Sequence, residues 1–340
     1  MKKCLIFCLL ALSLLPGCAA APKAQTASFL AMDTAMDLTI YGDADLPGQV
    51  QGLIDDLEGQ LSVTDPDSQI YAVNARGSGT LTGRADTLMG QALDLCRRTG
   101  GALDLSIYPV VRAWGFTTGD YQVPSDDDLA TLTALVDYTR IDYDPASGAV
   151  SLPEGMEIDL GSVAKGYAGR EAAQLLCQAG VSSALLNLGG NIQTVGSRPD
   201  GDPWQIGVKD PSTGQPMMVL SIRDQAVVTS GGYERYFQQD GRTYWHIMDP
   251  ATGRPAESGL RSVTIVGDDG LVCDGLSTAL FVMGLDRGVQ FWQTWRDHDD
   301  VRFECIFITD DGSVYLTQGL TDRFALTQDH ADTPVQVIQR

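Results

Sequence analysis

Hydrophobic and polar positions change period several times along this chain. Val50, Leu53, Ile54, Leu57 and Leu61 recur at helical spacing behind Pro47, which predicts an amphipathic helix. A second helix is predicted from Ser125. Its hydroxyl can cap the first turn, Asp126 to Asp128 favour the positive helix end, and Leu129, Leu132, Leu135 and Val136 face inward. Further on, the pattern turns to short β-rich runs: SALLNL, WQIGV, MVLSI, AVVTS, SVTIV, FECIFIT and SVYLT. Turn chemistry such as Pro199-Asp200-Gly201 and Asp268-Asp269-Gly270 separates them. Helix and strand signals mix irregularly, so the expected class is α+β rather than a doubly wound parallel sheet. Without a repeat, a low-complexity run or an internal linker, residues 29–335 read as one compact fold unit with scope for two lobes.

The first residues read as an export signal and stand outside the fold. Lys2 and Lys3 give a charged start, and Cys4 to Leu15 form an apolar stretch too short to span a bilayer comfortably. The stretch ends in Leu15-Pro16-Gly17-Cys18, which resembles the lipobox of bacterial lipoproteins. Residues 1–17 are therefore expected to be cleaved, Cys18 to be lipidated, and residues 18–28 to act as a tether. An ordinary signal cleaved at the small residues Ala19 to Ala21 would also export the chain, with loss of Cys18. The expected location is the outer face of the cytoplasmic membrane, reached through a lipid anchor. The remaining cysteines, Cys96, Cys177, Cys273 and Cys305, are widely spaced in apolar contexts and are expected as buried single thiols.

Charge narrows the ligand class. The formal charge of −21 becomes −23 once Lys2 and Lys3 are removed. So acidic a surface argues against nucleic acid or anionic lipid headgroups as partners, and any phosphate-bearing ligand would need a cation beside it.

Five stretches carry chemistry. In EIDLGSVAKGYA, residues 157–168, Ile158 and Leu160 are expected to end a strand and Val163, Ala164, Tyr167 and Ala168 to begin a helix. Small residues at such a corner open the helix N-terminus to phosphate, with Asp159 and Lys165 flanking it; a salt-bridged corner without ligand is the competing explanation. LLNLGGNIQTVG and VVTSGGYERYF each run a strand into a glycine pair, where backbone can approach a ligand closely, although hairpin turns explain them nearly as well. In YWHIMDPATGRP, His246 stands before the turn Asp249 to Gly253, a setting that suits a catalytic group as well as a structural one. In CDGLSTALFVMG, Asp274 is expected to cap a helix closed by Gly284, and Asp274 and Thr278 would share one helix face, a pairing fit for a hard cation with oxygen ligands.

Taken in order, AMDTAMDLTIYG, DLSIYPVVRAWGF, EIDLGSVAKGYA, LLNLGGNIQTVG with PWQIGVKDP, TSGGYERYF, HIMDPATGRP and DGLSTALFVMG resemble the ApbE family of FAD:protein FMN transferases over residues 31–284. The resemblance implies an ApbE-like, T-fold-related arrangement of mixed sheets packed with helices. It also implies an enzyme using Mg²⁺ that takes FAD as substrate, releases AMP and attaches FMN to a threonine or serine of an exported or membrane protein. By the same resemblance Asp274 and Thr278 are metal ligands through their side chains, and Ser162 through its carbonyl. Met32, Tyr71, Ala102, Leu103, Asp104, Asp159, Lys165 and Met248 match positions that contact FAD. The expected protein partner is a membrane redox subunit or FMN-binding domain that accepts the flavin. Where the family usually reads Met-Gly-Thr, this chain has Met32-Asp33-Thr34.

The residues fit that chemistry on their own terms. Phosphoryl transfer needs charge neutralisation and in-line positioning more than covalent help. His246 is the candidate acceptor for the proton of the incoming hydroxyl, because its unperturbed pKa lies near working pH. Two other readings stay open: an FAD pyrophosphate hydrolase giving FMN and AMP, and an FAD-binding lipoprotein without turnover.

Overall fold

The structure, a computed structural model, describes residues 23–42, 45–295 and 301–340. The leader, Cys18 and residues 19–22 of the expected tether lie outside the described residues. The chain enters on a hairpin of β1 (Ala24–Ala31) and β2 (Thr34–Tyr41), followed by the helices α1 (Leu46–Leu61), α2 (Gln69–Arg76) and α3 (Gly83–Arg98). Two short helices, α4 (Tyr108–Ala113) and α5 (Asp126–Thr133), lie close to a small sheet of β3 (Ser78–Thr80), β4 (Asp142–Asp144) and β5 (Ala149–Ser151) in sequence. Helix α6 (Gly161–Gln178) then leads to β6 (Ser183–Leu188), β7 (Asn191–Gly196), β8 (Trp204–Lys209), β9 (Pro216–Ile222) and β10 (Ala226–Gly231). Two hairpins follow, β11 (Tyr236–Gln239) with β12 (Arg242–Trp245) and β13 (Met248–Asp249) with β14 (Arg254–Pro255). The chain closes through β15 (Leu260–Gly267), α7 (Gly270–Thr294), β16 (Phe303–Thr309), β17 (Val314–Thr317), β18 (Phe324–Leu326) and β19 (Val335–Ile338).

A nine-stranded sheet, ordered β1-β2-β6-β7-β10-β15-β16-β17-β19, forms the centre; its pairings are antiparallel except β17 with β19. Alternation along its inner strands divides the core. Val228, Val263, Ile265, Cys305 and Phe307 face the helices, while Val227, Val266, Ile306 and Ile308 face the three-stranded sheet β18-β9-β8. With both faces covered, the inner strands read as continuous apolar runs. The expected α+β class is what the chain adopts.

Local expectations meet mixed outcomes. Helix α1 carries the predicted buried stripe, and Ser125 caps α5 by accepting from Asp128 N–H at 3.2 Å. The fold begins at Ala24, earlier than Phe29, because residues 24–28 pair with β2 as an uncharged edge strand whose small and polar residues resemble a tether. Ile158 and Leu160 end no strand: residues 157–160 are irregular backbone. Helix α7 starts at Gly270, capped by Asp269, so Asp274 is not the cap but a residue one turn inside. Gly284, with φ 78, breaks α7 without ending it. Cys96, Cys273 and Cys305 are buried free thiols raised by burial, Cys96 to about 12. Cys177 is exposed instead, since the last turn of α6 faces solvent.

Candidate active site

A cleft of about 580 Å³ gathers most of the residues singled out in the sequence. Its lining includes Met32, Ala102, Leu103, Asp104, Asp159 and Ser162, and also Lys165, His246, Met248, Asp274 and Thr278. Tyr71, on α2, is not among the lining residues. Its helix serves the cleft indirectly: the Asn74 amide donates to Ile158 O and accepts from Ile158 N–H, both at 2.8 Å, which fixes the corner before α6.

That corner presents Asp159. Its Oδ1 accepts from Gly161 N–H at 2.8 Å, at the start of α6, a helix without a side-chain cap on Leu160. Burial raises the Asp159 pKa, while the Gly161 N–H, Lys165 and Arg235 pull it down. Asp104 plays a different part. Its Oδ1 accepts from Ser106 N–H at 2.9 Å and Ser106 Oγ at 2.6 Å, and its Oδ2 from Tyr138 N–H at 3.0 Å. The carboxylate is thus committed to holding its own loop.

Helices α6 and α7 cross so tightly that a Cβ on Gly166 would stand 2.1 Å from Gly270 O and 2.5 Å from Asp274 Cβ. At the crossing Gly166 N–H donates to Asp274 Oδ2 at 2.8 Å. In a regular helix that donor would serve the carbonyl four residues back, which belongs to Ser162. The donor that reaches Asp274 is thus the one facing the Ser162 carbonyl, and both residues line the cleft. Thr278 follows Asp274 by one turn, its hydroxyl 3.4 Å from Ser230 Oγ at the end of β10. Burial raises the Asp274 pKa, opposed by Lys165 and the Gly166 N–H. Among the described residues no cluster of three histidine, cysteine or acidic side chains could hold a metal. A buried carboxylate, a hydroxyl and a backbone carbonyl make an all-oxygen donor set that fits Mg²⁺, which keeps waters and substrate phosphates as its other ligands.

His246 lies between β12 and β13. Its N–H donates to Arg235 O at 3.1 Å, and its Nδ1 is 3.2 Å from the same oxygen. A carbonyl can only accept, so Nδ1 carries the proton and Nε2 keeps its lone pair. Burial, then Arg235 and Lys165, lower its pKa to about 4, so the ring is neutral at neutral pH. Behind it Met248 joins a small core of Val110, Trp114, Phe116 and Leu129, and Trp114 Nε1 donates to Gly253 O at 2.8 Å.

The mouth of the cleft is a two-residue turn. Ala31 pairs with Thr34, and Met32 and Asp33 between them have φ 49 and 58. This is the left-handed pair that a type I′ hairpin turn requires, and Asp33 adopts it although it is not a glycine. Gly189, φ 64, packs against the turn, since a Cβ there would meet Thr34 Cγ2 at 2.3 Å.

Arg235 also lines the cleft and was not singled out in the sequence. Its signal was available: it follows a strand and a glycine pair in TSGGYERYF, where a charged side chain has a ligand within reach.

Comparisons with known proteins place the chain in a family. The ApbE family profile matches residues 32–303. A protein of Klebsiella pneumoniae named FAD:protein FMN transferase is 33% identical over 305 residues, covering 88% of this chain and 93% of its own. One of the same name from Treponema pallidum is 34% identical over 296 residues, 81% of this chain and 80% of its own. The crystal structure of the ApbE protein from Thermotoga maritima superposes with a TM-score of 0.81 at 28% identity, covering 87% of this chain and 98% of that one. The flavin transferase ApbE from Vibrio cholerae gives 0.77 at 28% identity, with 89% and 99% covered.

Proposed function

The chain belongs to the ApbE family, and we propose that it is a flavin transferase that moves FMN from FAD to a threonine or serine hydroxyl of another protein, releasing AMP. What supports this reading most is the gathering, in one cleft, of an oxygen donor set, cations without ion-pair partners and a neutral imidazole. A pyrophosphate ester under attack needs all three: neutralised charge, held phosphates and an acceptor for the hydroxyl proton.

In the proposed step the acceptor oxygen bonds to the phosphorus of the FMN half while the bond from that phosphorus to the bridging oxygen breaks. AMP leaves with the bonding pair, and the hydroxyl proton passes to Nε2 of His246. Asp274, Thr278 and the Ser162 carbonyl would hold Mg²⁺, whose contribution when bound is to neutralise the pyrophosphate. Lys165, with no ion-pair or hydrogen-bond partner among the described residues, adds charge from the second turn of α6. Met32, Ala102, Leu103 and Met248 offer apolar contact to the rings of FAD, and Asp159 presents a carboxylate beside them.

The Leu15-Pro16-Gly17-Cys18 sequence supports export and a lipid anchor on the outer face of the cytoplasmic membrane. A membrane redox subunit or an exported FMN-binding domain would then be the acceptor. Incubation of the purified protein with FAD, Mg²⁺ and such a domain should release AMP in step with acceptor labelling, and EDTA should stop both. Labelling that persists undiminished in EDTA would contradict the metal assignment; FMN and AMP released without labelling would favour the hydrolase.

A further inference from the structure

We propose that Arg235 couples the transferred phosphate to its proton acceptor, its guanidinium holding a phosphate oxygen while its main-chain carbonyl orients His246. This deepens the transferase reading and rests on it.

Three cations line the cleft: Lys165, Lys209 and Arg235. Lys209 is engaged by Glu234 at 3.4 Å, whereas Lys165 and Arg235 have no ion-pair partner among the described residues. In a chain with 44 acidic and 23 basic residues, an unpaired cation inside a concave site is matched to an anion from outside. The Arg235 side chain is held in place, because its Nη2 donates to Phe116 O at 2.6 Å. One donor is spent on that anchor, and the rest of the planar fork is left for phosphate oxygens, a geometry lysine cannot offer.

The same residue grips His246 from behind. Its carbonyl takes the His246 N–H and, at 3.2 Å, faces Nδ1, which leaves Nε2 as the basic nitrogen. The charged groups that face His246 are Arg235 and Lys165, with the Phe116 ring 6.2 Å away. Lys165 also bears on Asp159 and Asp274, while Arg235 bears on Asp159 and His246. Lys165 alone thus bears on Asp274, whereas both cations bear on Asp159 and His246, Arg235 more strongly on the imidazole. An arginine there places phosphorus and base at a fixed separation without adding a second titratable group.

The test uses the full chain with Arg235→Ala and Arg235→Lys. Single-turnover transfer from FAD, FAD binding, and an NMR titration of the His246 ring in the FAD-free protein are measured for each. Arg235→Ala should slow transfer about a hundredfold, with a smaller loss in FAD affinity. The His246 midpoint should move upward from about 4, because a neighbouring positive charge has been removed. Arg235→Lys should recover the midpoint more fully than the rate, since it restores charge without the fork. Transfer by Arg235→Ala within about twofold of wild type, or an unmoved His246 midpoint in a folded variant, would overturn the proposal. A wild-type protein that transfers nothing overturns the transferase reading instead, and the NMR titration still decides whether Arg235 governs His246.

Discussion

Single residues in this protein trade stability for a site. Met32 and Asp33 both sit at positive φ in the turn at the cleft mouth, a conformation that costs residues with a Cβ and suits glycine. Asp33→Gly should raise the free energy of unfolding by about 0.5–1 kcal/mol in a denaturant titration, with no gain if the turn differs from this one. Asp274 shows the same trade more sharply. It is 5% exposed, accepts from Gly166 N–H, and has a pKa raised mainly by burial, so its charge opposes folding in the absence of ligand. Asp274→Asn keeps the Gly166 bond and removes the charge. The variant should melt higher than wild type by about 2 °C without ligand, yet lose Mg²⁺-dependent transfer altogether. Equal or lower melting would show that the carboxylate is not paying a desolvation cost.

At the scale of elements, the crossing of α6 and α7 sets the donor group. Gly166 and Gly270 bring the two backbones together, and only that approach lets a helix N–H reach a carboxylate on the neighbouring helix. Gly166→Ala should cost about 3 kcal/mol and more than tenfold in transfer, measured by denaturation and single turnover. A variant that keeps both would show that the helices can part without harm. The motif around Gly166 was legible in the sequence because its residues are contiguous, and the cleft indeed brings Lys165, Asp274, Thr278 and His246 together. The cap of α7 was misplaced by one turn, since Asp269 looks like turn chemistry until its side chain is seen accepting from Val272 N–H. Strand β1 was hidden because Ala24 to Ser28 bear neither charge nor large apolar groups, and pairing with β2 rather than burial orders them. Tyr71 was placed by motif spacing, which varies where helices intervene; Asn74 on the same helix proves to be the structural link. The anchor of Arg235, Phe116 O, lies 119 residues away, so only its place after the glycine pair of TSGGYERYF points to the cleft.

The whole molecule carries an excess of negative charge, and three carboxylates of the cleft sharpen that imbalance. Asp104, Asp159 and Asp274 all have pKa values above the ordinary 3.8, burial being the largest cause in each. The folded state then binds more protons than the unfolded one, so these groups remove stability as pH rises above the ordinary carboxylate value. Asp144 and Asp311, lowered by hydrogen bonds, act oppositely and only as pH falls through the range below 3.8. His246, lowered to about 4 from an ordinary 6.5, acts the other way and adds stability as pH rises through that interval. With that group removed by His246→Gln, the ligand-free protein should melt higher near about pH 5 than near about pH 7.5, and a melting temperature that climbs steadily over that range in the variant would contradict the assignment of these three carboxylates.

The proposed transfer of FMN to another protein by this cleft, with Asp274 on its metal side, is tested most directly by intact-mass spectrometry of a candidate acceptor domain incubated with the protein, FAD and Mg²⁺. The acceptor should gain the mass of one FMN, with no gain in EDTA and none with Asp274→Asn. An acceptor labelled equally well by Asp274→Asn would contradict it.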